Sequence, residues 1–378
     1  MQRPTYLDFA ATTPVDPQVS ATVLRLMAEE FGNSGSRTHE FGAEAAKAVE
    51  EARQRVAQIV DADPSEVIFT SGATEANNLA VLGLAPSAEV LGKRHILSTA
   101  IEHKAVLEPL ERLSSQGFEI ELVEPDEGGA VDAADLLGRV RPDTLLVSVM
   151  QINNETGVRQ PVVEIVDGLA DDGPLLHIDA AQGFGKEPEP LRNPRIDMIS
   201  LSGHKIYAPK GVGALVARRR GRRRPPLSPL LLGGGQERGL RPGTVPVPLV
   251  AGLGLAAEIA ETNWQSWATA CTELRERILG PLVGSGALIN GDPELSVPHI
   301  ANLSFPGLDS EAVILALRDV MAISNGSACT SASYTPSHVL SAMGLDDDRR
   351  RGAIRLSWGP TTVAPEPELV RMALAVLR

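Results

Sequence analysis

The chain has 378 residues, 43% of them hydrophobic and 22% charged, and a formal net charge of -13 at pH 7. This length predicts about two or three domains with large cores and excludes a minimal binding module. The negative net charge opposes nonspecific binding to nucleic acid, so direct nucleic-acid binding is not expected. No apolar run approaches the roughly 18 residues that a membrane span needs, and the N-terminus lacks the apolar core of a secretion signal, so we expect a soluble, cytoplasmic protein.

Short apolar runs alternate with longer amphipathic segments in the N-terminal half, a pattern that predicts an α/β fold with a mainly parallel sheet. In chain order, the predicted strands are residues 67–69, 95–97, 145–149, 175–178 and 198–201. Residues 43–60 and 105–116 carry apolar residues at helical spacing and are predicted to be crossover helices. A long helix from about residue 250 onward leads into a smaller α+β unit, built from residues 300–305, 311–318 and 354–356.

Two segments beyond the strands invite functional interpretations that we do not favour. Arginine fills six of the seven positions from 218 to 224, and such a run is more typical of a solvated loop than of a contact for an acidic partner or nucleic acid. Residues 252–257 formally satisfy the GxGxx[GA] pattern of nicotinamide oxidoreductases, but a proline-rich stretch precedes them where a strand is needed. A dinucleotide-binding fold is therefore rejected.

Polar turns follow three of the predicted strands, and ligands bind beyond the carboxyl ends of strands in open α/β sheets. The turn after residues 67–69 contains small residues and enters a helix, and the N-terminus of a helix can bind an anion. An ordinary helix cap by Thr70 or Ser71 explains the sequence of this turn equally well. Asp179 and Gln182 follow the strand at 175–178, and Lys205 follows the strand at 198–201. Together these turns supply the lysine, carboxylate and anion cradle that pyridoxal phosphate requires.

The motifs at these turns resemble those of the cysteine desulfurases, and the resemblance spans nearly the whole chain. The matching segments, in the expected order, are residues 6–14, 71–78, 153–157, 177–182, 202–205, 241–244 and the region of Arg355. The resemblance implies a homodimeric enzyme of the class V aminotransferase group with the type I fold of pyridoxal-phosphate-dependent transferases. It further implies a large domain (14–255) with a mainly parallel seven-stranded sheet, and a small α+β domain (1–13 and 256–378) that carries a catalytic cysteine loop at about 324–338.

Residue by residue, the resemblance implies the following roles. The catalytic residues are Lys205, which forms the Schiff base and serves as base, Cys329, which takes the sulfur, and His103, which stacks on the cofactor ring and is the candidate proton donor. The cofactor contacts are Ala73, Thr74, His103, Asp179, Gln182, Ser202, His204, Lys205 and, from the other subunit, Thr244. Asn154 and Arg355 bind the substrate, since a guanidinium can donate two parallel hydrogen bonds to an α-carboxylate. The alternative interpretation of Arg355 is a surface ion pair.

The two cysteines of the chain receive different interpretations. Cys329 lies in a run of small residues that predicts a flexible loop, and a thiol that visits both substrate and acceptor needs such freedom. Its thiolate needs a nearby cation or base, which the sequence does not identify. The serine-rich extension to residue 338 resembles the long-loop subgroup of the family. Cys271 lies in a helical pattern and is predicted to pack as a small apolar residue, and neither a disulfide framework nor a metal site is predicted.

The predicted activity is conversion of L-cysteine to L-alanine, with the sulfur passing to Cys329 as a persulfide for delivery to an acceptor protein. Iron–sulfur assembly, tRNA thiolation and DNA phosphorothioation remain open as destinations. One alternative is a pyridoxal-phosphate-dependent enzyme that does not use Cys329, either a selenocysteine or cystine lyase or an aminotransferase. The other alternative is a sulfur carrier without catalytic activity. The complete set of cofactor motifs opposes the idle carrier.

Overall fold

The computed structural model describes residues 3–325 and 337–377. Its strands are β1 Thr5–Tyr6, β2 Val67–Thr70, β3 His95–Thr99, β4 Glu119–Val123, β5 Thr144–Met150, β6 Leu175–Asp179, β7 Met198–Ser202, β8 Gly213–Ala217, β9 Leu288–Asn290, β10 Ile300–Ser304, β11 Met321–Ala322 and β12 Ala353–Ser357. Its α-helices are α1 Pro17–Ala28, α2 Glu40–Ile59, α3 Ala73–Leu82, α4 Ala85–Leu91, α5 Lys104–Ser114, α6 Ala133–Gly138, α7 Val162–Gly168, α8 Val247–Val283, α9 Ser310–Leu317, α10 His338–Ala342, α11 Asp347–Arg351 and α12 Pro367–Ala375.

A seven-stranded sheet with the order β2-β8-β7-β6-β5-β3-β4 forms the centre of the molecule. The strands from β7 to β4 in this order pair in parallel, whereas β8 is antiparallel to both of its neighbours. Helices cover the sheet, and β5 and β7 are buried along their whole length, which is why their sequences are nearly continuous apolar runs. The predicted mainly parallel sheet is confirmed.

Two strands of this sheet were not predicted. β4 is the edge strand, and its partly exposed sequence Glu-Ile-Glu-Leu-Val lacks the continuous apolar character of the inner strands. β8 is buried and begins with glycine, a residue type that is depleted in strands. That glycine is required by packing, because a Cβ at Gly213 would lie 2.7 Å from the Cα of Gly72.

The long helix α8 connects the two parts of the molecule. Its first half packs on α1 and α2 beside the large sheet, and its second half contributes Cys271, Leu274 and Ile278 to a second core. That second core includes the antiparallel three-stranded sheet β12-β10-β9. The domain boundary predicted between residues 255 and 256 lies inside α8.

Residues 252–257 lie within α8, so they form no strand–turn–helix unit, and the rejection of a dinucleotide-binding fold is confirmed. A Cβ at Gly254 would lie 2.4 Å from the Cα of Ala52. The glycine therefore serves the close approach of α8 to α2. None of the described helices is both long and apolar enough to span a membrane.

The prediction that the arginine run is a solvated loop is wrong for its first part. Arg218 is 4% exposed, and its guanidinium donates hydrogen bonds to backbone carbonyls, including those of Leu191 and Asn193. Arg220 pairs with the buried carboxylate of Asp197 at 2.5 Å. Arg218 is buried and Arg220 is half-buried because their guanidinium groups bind acceptors between β6 and β7, whereas Arg219 is exposed. Residues 222–224 are exposed, as predicted.

Candidate active site

A cavity of about 550 Å³ lies at the carboxyl ends of β5, β6 and β7, beside the N-terminus of α3. It brings together the predicted site residues Ala73, Thr74, His103, Asn154, Asp179, Gln182, Ser202, His204, Lys205 and Arg355. These residues come from segments that are up to about 280 positions apart, so the fold alone assembles them. Cys329 lies outside the described residues, and Thr244 is exposed and does not line this cavity.

The N-terminus of α3 forms one end of the cavity. Gly72 is the residue that precedes the helix, and no side chain caps the helix here, so the interpretation of Thr70 or Ser71 as an ordinary cap is wrong. The Thr70 hydroxyl instead donates to the carbonyl of Gly72 at 2.9 Å. Ser202 Oγ lies only 3.5 Å from the position that a Cβ on Gly72 would take. Backbone N–H groups and a hydroxyl thus surround a space that suits a phosphate.

Asp179 ends β6 and is 4% exposed. Its Oδ2 accepts a hydrogen bond from Asn77 Nδ2 at 2.7 Å, and its Oδ1 accepts one from the N–H of Ala181 at 2.9 Å. Neither partner carries a positive charge, so a cationic ring nitrogen would compensate this buried carboxylate. Asn77 was not assigned a role from the sequence. The available signal was its position three residues after Thr74, on the same face of α3.

Lys205 follows β7 and reaches the segment after β1. Its Nζ donates to the carbonyl oxygens of Ala10 and Ala11, the latter at 2.8 Å. Gln182 Nε2 also donates to Ala10 O, at 3.0 Å, and Gln182 Oε1 is buried without a hydrogen-bond partner among the described residues. The amide and the amine are therefore held together at the cavity wall, where a polar ring substituent could bind.

The two histidines of the cavity are both held neutral. His103 precedes α5, and its Nδ1 accepts the N–H of Ala105 at 3.0 Å, which leaves the proton on Nε2. Burial lowers the pKa of His103. His204 Nδ1 lies 3.2 Å from Thr12 Oγ1, and burial together with the charge of Lys205 lowers its pKa to about 4. His103 can therefore donate a hydrogen bond from Nε2.

Arg355 lies in β12 and faces the same cavity. It is 4% exposed, so the interpretation as a surface ion pair is wrong. Its Nη2 binds Asp8 at 2.8 Å and its Nη1 binds the carbonyl of Asn154 at 3.0 Å. Its Nε is buried and has no hydrogen-bond partner among the described residues. The guanidinium is therefore positioned by two oxygens and retains N–H groups for an anionic ligand.

The segments on either side of residues 326–336 are attached to the cavity wall. Ser324 pairs with Arg355 through both backbone groups. On the other side, Ser337 Oγ donates to the buried carboxylate of Glu155 at 2.5 Å, and His338 Nε2 lies 2.9 Å from the carbonyl of Glu102. The two ends of the predicted cysteine loop thus lie beside Arg355 on one side and beside Glu155 and Glu102 on the other.

Glu102 is a fully buried carboxylate below the cavity, and sequence reasoning missed it. Its Oε1 accepts hydrogen bonds from Thr99 Oγ1 at 2.8 Å and from Met150 N at 2.7 Å, whereas its Oε2 has no partner among the described residues. Burial raises the pKa of Glu102 to about 8. The side chain is therefore a neutral carboxylic acid at neutral pH, which ties the ends of β3 and β5 together.

This raised pKa gives a testable dependence of stability on pH. Between pH 4.5 and about 8 the folded state keeps a proton on Glu102 that the unfolded state loses. The contribution of this proton to the free energy of unfolding is therefore complete below pH 4.5 and is lost as the pH rises through about 8. We expect wild type to lose more stability than Glu102→Gln between pH 5 and 8, by more than about 1 kcal/mol. Thermal unfolding midpoints across this range measure the difference.

The exposed Glu111 on α5 provides the matched control. Its substitution Glu111→Gln removes a carboxylate from the same region without burial, so its stability curve should run parallel to that of wild type. Parallel curves for wild type and Glu102→Gln would show that Glu102 is not held protonated in the fold.

Cys271 is buried in α8, as predicted. Burial raises the pKa of its thiol to about 11, so it is not a nucleophile at neutral pH. No cluster of histidine, cysteine and carboxylate side chains arranged to hold a metal ion occurs within residues 3–325 and 337–377.

The seven-stranded sheet with its one antiparallel strand, and the cavity at its carboxyl edge, have the architecture of the type I transferase fold. The family model for class V aminotransferases matches residues 5–366, and the chain belongs to that family. This result confirms the predicted fold class.

Comparison with individual proteins narrows the assignment. The chain is 43% identical over 385 residues to the cysteine desulfurase IscS of Vibrio campbellii, covering 100% of this chain and 94% of the relative. The crystal structure of DndA from Streptomyces lividans has a TM-score of 0.82 at 52% identity, covering 96% and 100% of the two chains. SspA in complex with cysteine has a TM-score of 0.82 at 36% identity, covering 95% and 100%. Within its family, the chain groups with the cysteine desulfurases of the NifS/IscS type, which favours desulfuration over the alternative activities.

Proposed function

We propose that this protein takes sulfur from L-cysteine, leaves L-alanine, and holds the sulfur as a persulfide on Cys329 for an acceptor protein. The observation that carries the proposal is the convergence of Lys205, Asp179, Arg355 and the uncapped N-terminus of α3 on one cavity. An amine, a buried carboxylate, a guanidinium and an anion cradle meet the needs of pyridoxal phosphate and of an amino-acid substrate together.

The residues present fit the cofactor. Ala73, Thr74, Ser202 and His204 would hold its phosphate, and Thr244 would reach the phosphate from the other subunit of a homodimer. Asp179 would pair with the ring nitrogen, Gln182 with the ring hydroxyl, and His103 would stack on the ring. When bound, pyridoxal phosphate supplies an aldehyde for the substrate amine and an electron sink for the α carbon.

The chain itself positions the substrate and moves its protons. Arg355 would bind the α-carboxylate through the N–H groups that Asp8 and Asn154 leave available, and the side chain of Asn154 lines the same cavity. Lys205 Nζ would accept the α proton of the substrate. His103, our candidate proton donor, would take up a proton and deliver it as alanine leaves, because a neutral imidazole is too weak an acid to give up its own Nε2 proton.

The sulfur step belongs to Cys329. Its thiolate would form a bond to the substrate sulfur while the bond between that sulfur and Cβ breaks, leaving the electron pair on the carbon skeleton. The skeleton takes up protons and leaves as alanine, so one cysteine and one protein thiol give one alanine and one protein persulfide. The anchored segments at Ser324 and Ser337 support delivery of this thiol to the cavity.

The product balance tests the proposed function. In a single turnover without reductant, L-cysteine should give alanine and protein-bound persulfide in equal amounts. Pyruvate with free sulfide in place of alanine, or alanine with elemental sulfur and no persulfide, would favour a lyase or another desulfurating activity that does not use Cys329. Pull-down of the persulfide-loaded protein from its native cell would identify the acceptor protein. The exposed arginines at 222–224 are our candidate contact surface for that acceptor.

Replacement of Arg355 tests substrate binding. Arg355→Lys keeps the charge but loses the planar pair of donors, so we expect the KM for L-cysteine to rise by about tenfold or more, with cofactor content unchanged. Steady-state alanine formation measures the KM and kcat separately. Arg371→Lys in the exposed part of α12 is the matched control and should leave both values unchanged. An unchanged KM in Arg355→Lys would contradict the assigned role.

A further inference from the structure

A second, smaller cavity lies away from the candidate active site, where the segment after β6, helix α8 and the end of β12 meet. Its volume is about 30 Å³. The chain has three tryptophans, and all of them, Trp264, Trp267 and Trp358, line this cavity. Tyr207 packs edge-on against Trp267 with ring centroids 5.1 Å apart and completes an aromatic wall. The shape of the cavity is thus fixed by rigid side chains from three parts of the fold.

Three polar groups that line this cavity have no hydrogen-bond partner among the described residues. Within residues 3–325 and 337–377, neither Lys186 Nζ nor the Tyr207 hydroxyl has a hydrogen-bond partner. His299 is 7% exposed, and its Nε2 is buried without a partner there as well. The carboxylate that lines the cavity, Glu187, is already bound by Arg159 through two hydrogen bonds of 2.5 and 2.7 Å. The cavity therefore offers donors and a cation to an occupant, and its carboxylate is engaged elsewhere.

The charges in the cavity are unbalanced at neutral pH. Burial lowers the pKa of Lys186 to about 8, so the amine is still mostly protonated at pH 7. Burial also lowers the pKa of His299 well below its usual range and keeps the imidazole neutral. Glu187 is the carboxylate that acts on the half-buried Lys186, but it is already paired with Arg159, so Lys186, Glu187 and Arg159 together carry a net positive charge. An anion beside Lys186 would balance this charge, which a water molecule cannot do.

We propose that this cavity binds one small monovalent anion of about the size of a halide, with Lys186 as its counter-ion and Tyr207 and His299 as further donors. The volume of the cavity limits the size of the occupant. About 30 Å³ exceeds the roughly 10–15 Å³ that one water needs but is too small for an amino acid or a nucleotide. The site contacts the large-sheet side, α8 and the end of β12 at once. A bound anion would therefore stabilise the junction between them. This inference does not depend on the proposed desulfurase activity.

The tryptophans provide a specific readout. Iodide quenches an excited indole on contact, so iodide bound in the cavity should quench the fluorescence of the holoenzyme in a saturable manner. Chloride, added at constant ionic strength against potassium gluconate, should displace this component, while quenching by neutral acrylamide should not respond to chloride. In Lys186→Gln, the apparent affinity for iodide should fall by about tenfold or more, because the charged donor is lost.

Lys47→Gln is the matched control, since Lys47 is a surface lysine with a side chain that is 78% exposed, and its iodide binding should equal that of wild type. Linear quenching of wild type that chloride does not change would overturn the proposal without reference to any variant. A bromide-soaked crystal of the holoenzyme adds an independent measurement: an anomalous peak beside Lys186 supports the site, and no peak in the cavity overturns it.

Discussion

Lys205→Ala is expected to abolish covalent attachment of pyridoxal phosphate and to lower alanine formation by at least about a thousandfold. Lys205 Nζ is held at the cavity wall by the carbonyls of Ala10 and Ala11, and no alanine side chain can replace the amine that binds the cofactor aldehyde. Borohydride reduction followed by peptide mass measurement detects the attachment. In wild type, the cofactor mass should appear on the peptide that contains Lys205, and in the variant it should appear on none.

Lys210 lines the same cavity and provides the control for attachment. Lys210→Ala removes a second lysine from the wall, and its reduced peptide should still carry the cofactor on Lys205. A cofactor adduct on Lys210 in wild type, or retained adduct in Lys205→Ala, would contradict the assignment of Lys205. Because the readout is a mass, this test does not depend on the later sulfur step.

The sequence predicted the inner strands of the large sheet and the ends of those strands where the site lies. Buried parallel strands are continuous apolar runs, so β5 and β7 stand out from their surroundings. Residues that follow such strands, including Asp179 and Lys205, must lie at the same edge of the sheet. This regularity is why a local pattern could place residues from distant segments in one cavity.

Pairings between distant side chains could not be predicted in the same way. Asp8 binds Arg355 across 347 positions, and Asn77 binds Asp179 across 102. No spacing in the sequence encodes these contacts, because each is created by the packing of separate elements. The same holds for the burial of Arg218, whose neighbours in the chain suggest a solvated loop, and for the exposure of β4 at the sheet edge.

The burial of Glu102 shows how the fold changes the chemistry of a residue. In the sequence it is one acidic residue before His103, without a sign of its environment. In the structure it is enclosed between β3 and β5, and burial raises its pKa to about 8. The consequence is a neutral acid next to His103 of the candidate active site, which only the three-dimensional arrangement reveals.

Cys329→Ser is expected to retain the bound cofactor but to form no protein persulfide, with alanine formation below about 1% of the wild-type rate. A serine hydroxyl is scarcely ionised at neutral pH and is a much weaker nucleophile toward sulfur than a thiolate. Single-turnover reaction with L-cysteine, followed by mass measurement of the intact protein, detects the added sulfur. Cofactor content, measured in the same sample, separates loss of the sulfur step from loss of the holoenzyme.

The chain contains two cysteines, so one further variant assigns the persulfide completely. Cys271 is buried in α8 and burial raises the pKa of its thiol to about 11, so Cys271→Ala should still gain one sulfur atom per chain. Sulfur added to Cys329→Ser, together with none added to Cys271→Ala, would transfer the acceptor role to the buried cysteine. Added sulfur in both variants would show that either thiol can accept the substrate sulfur, which would contradict a specific role for Cys329.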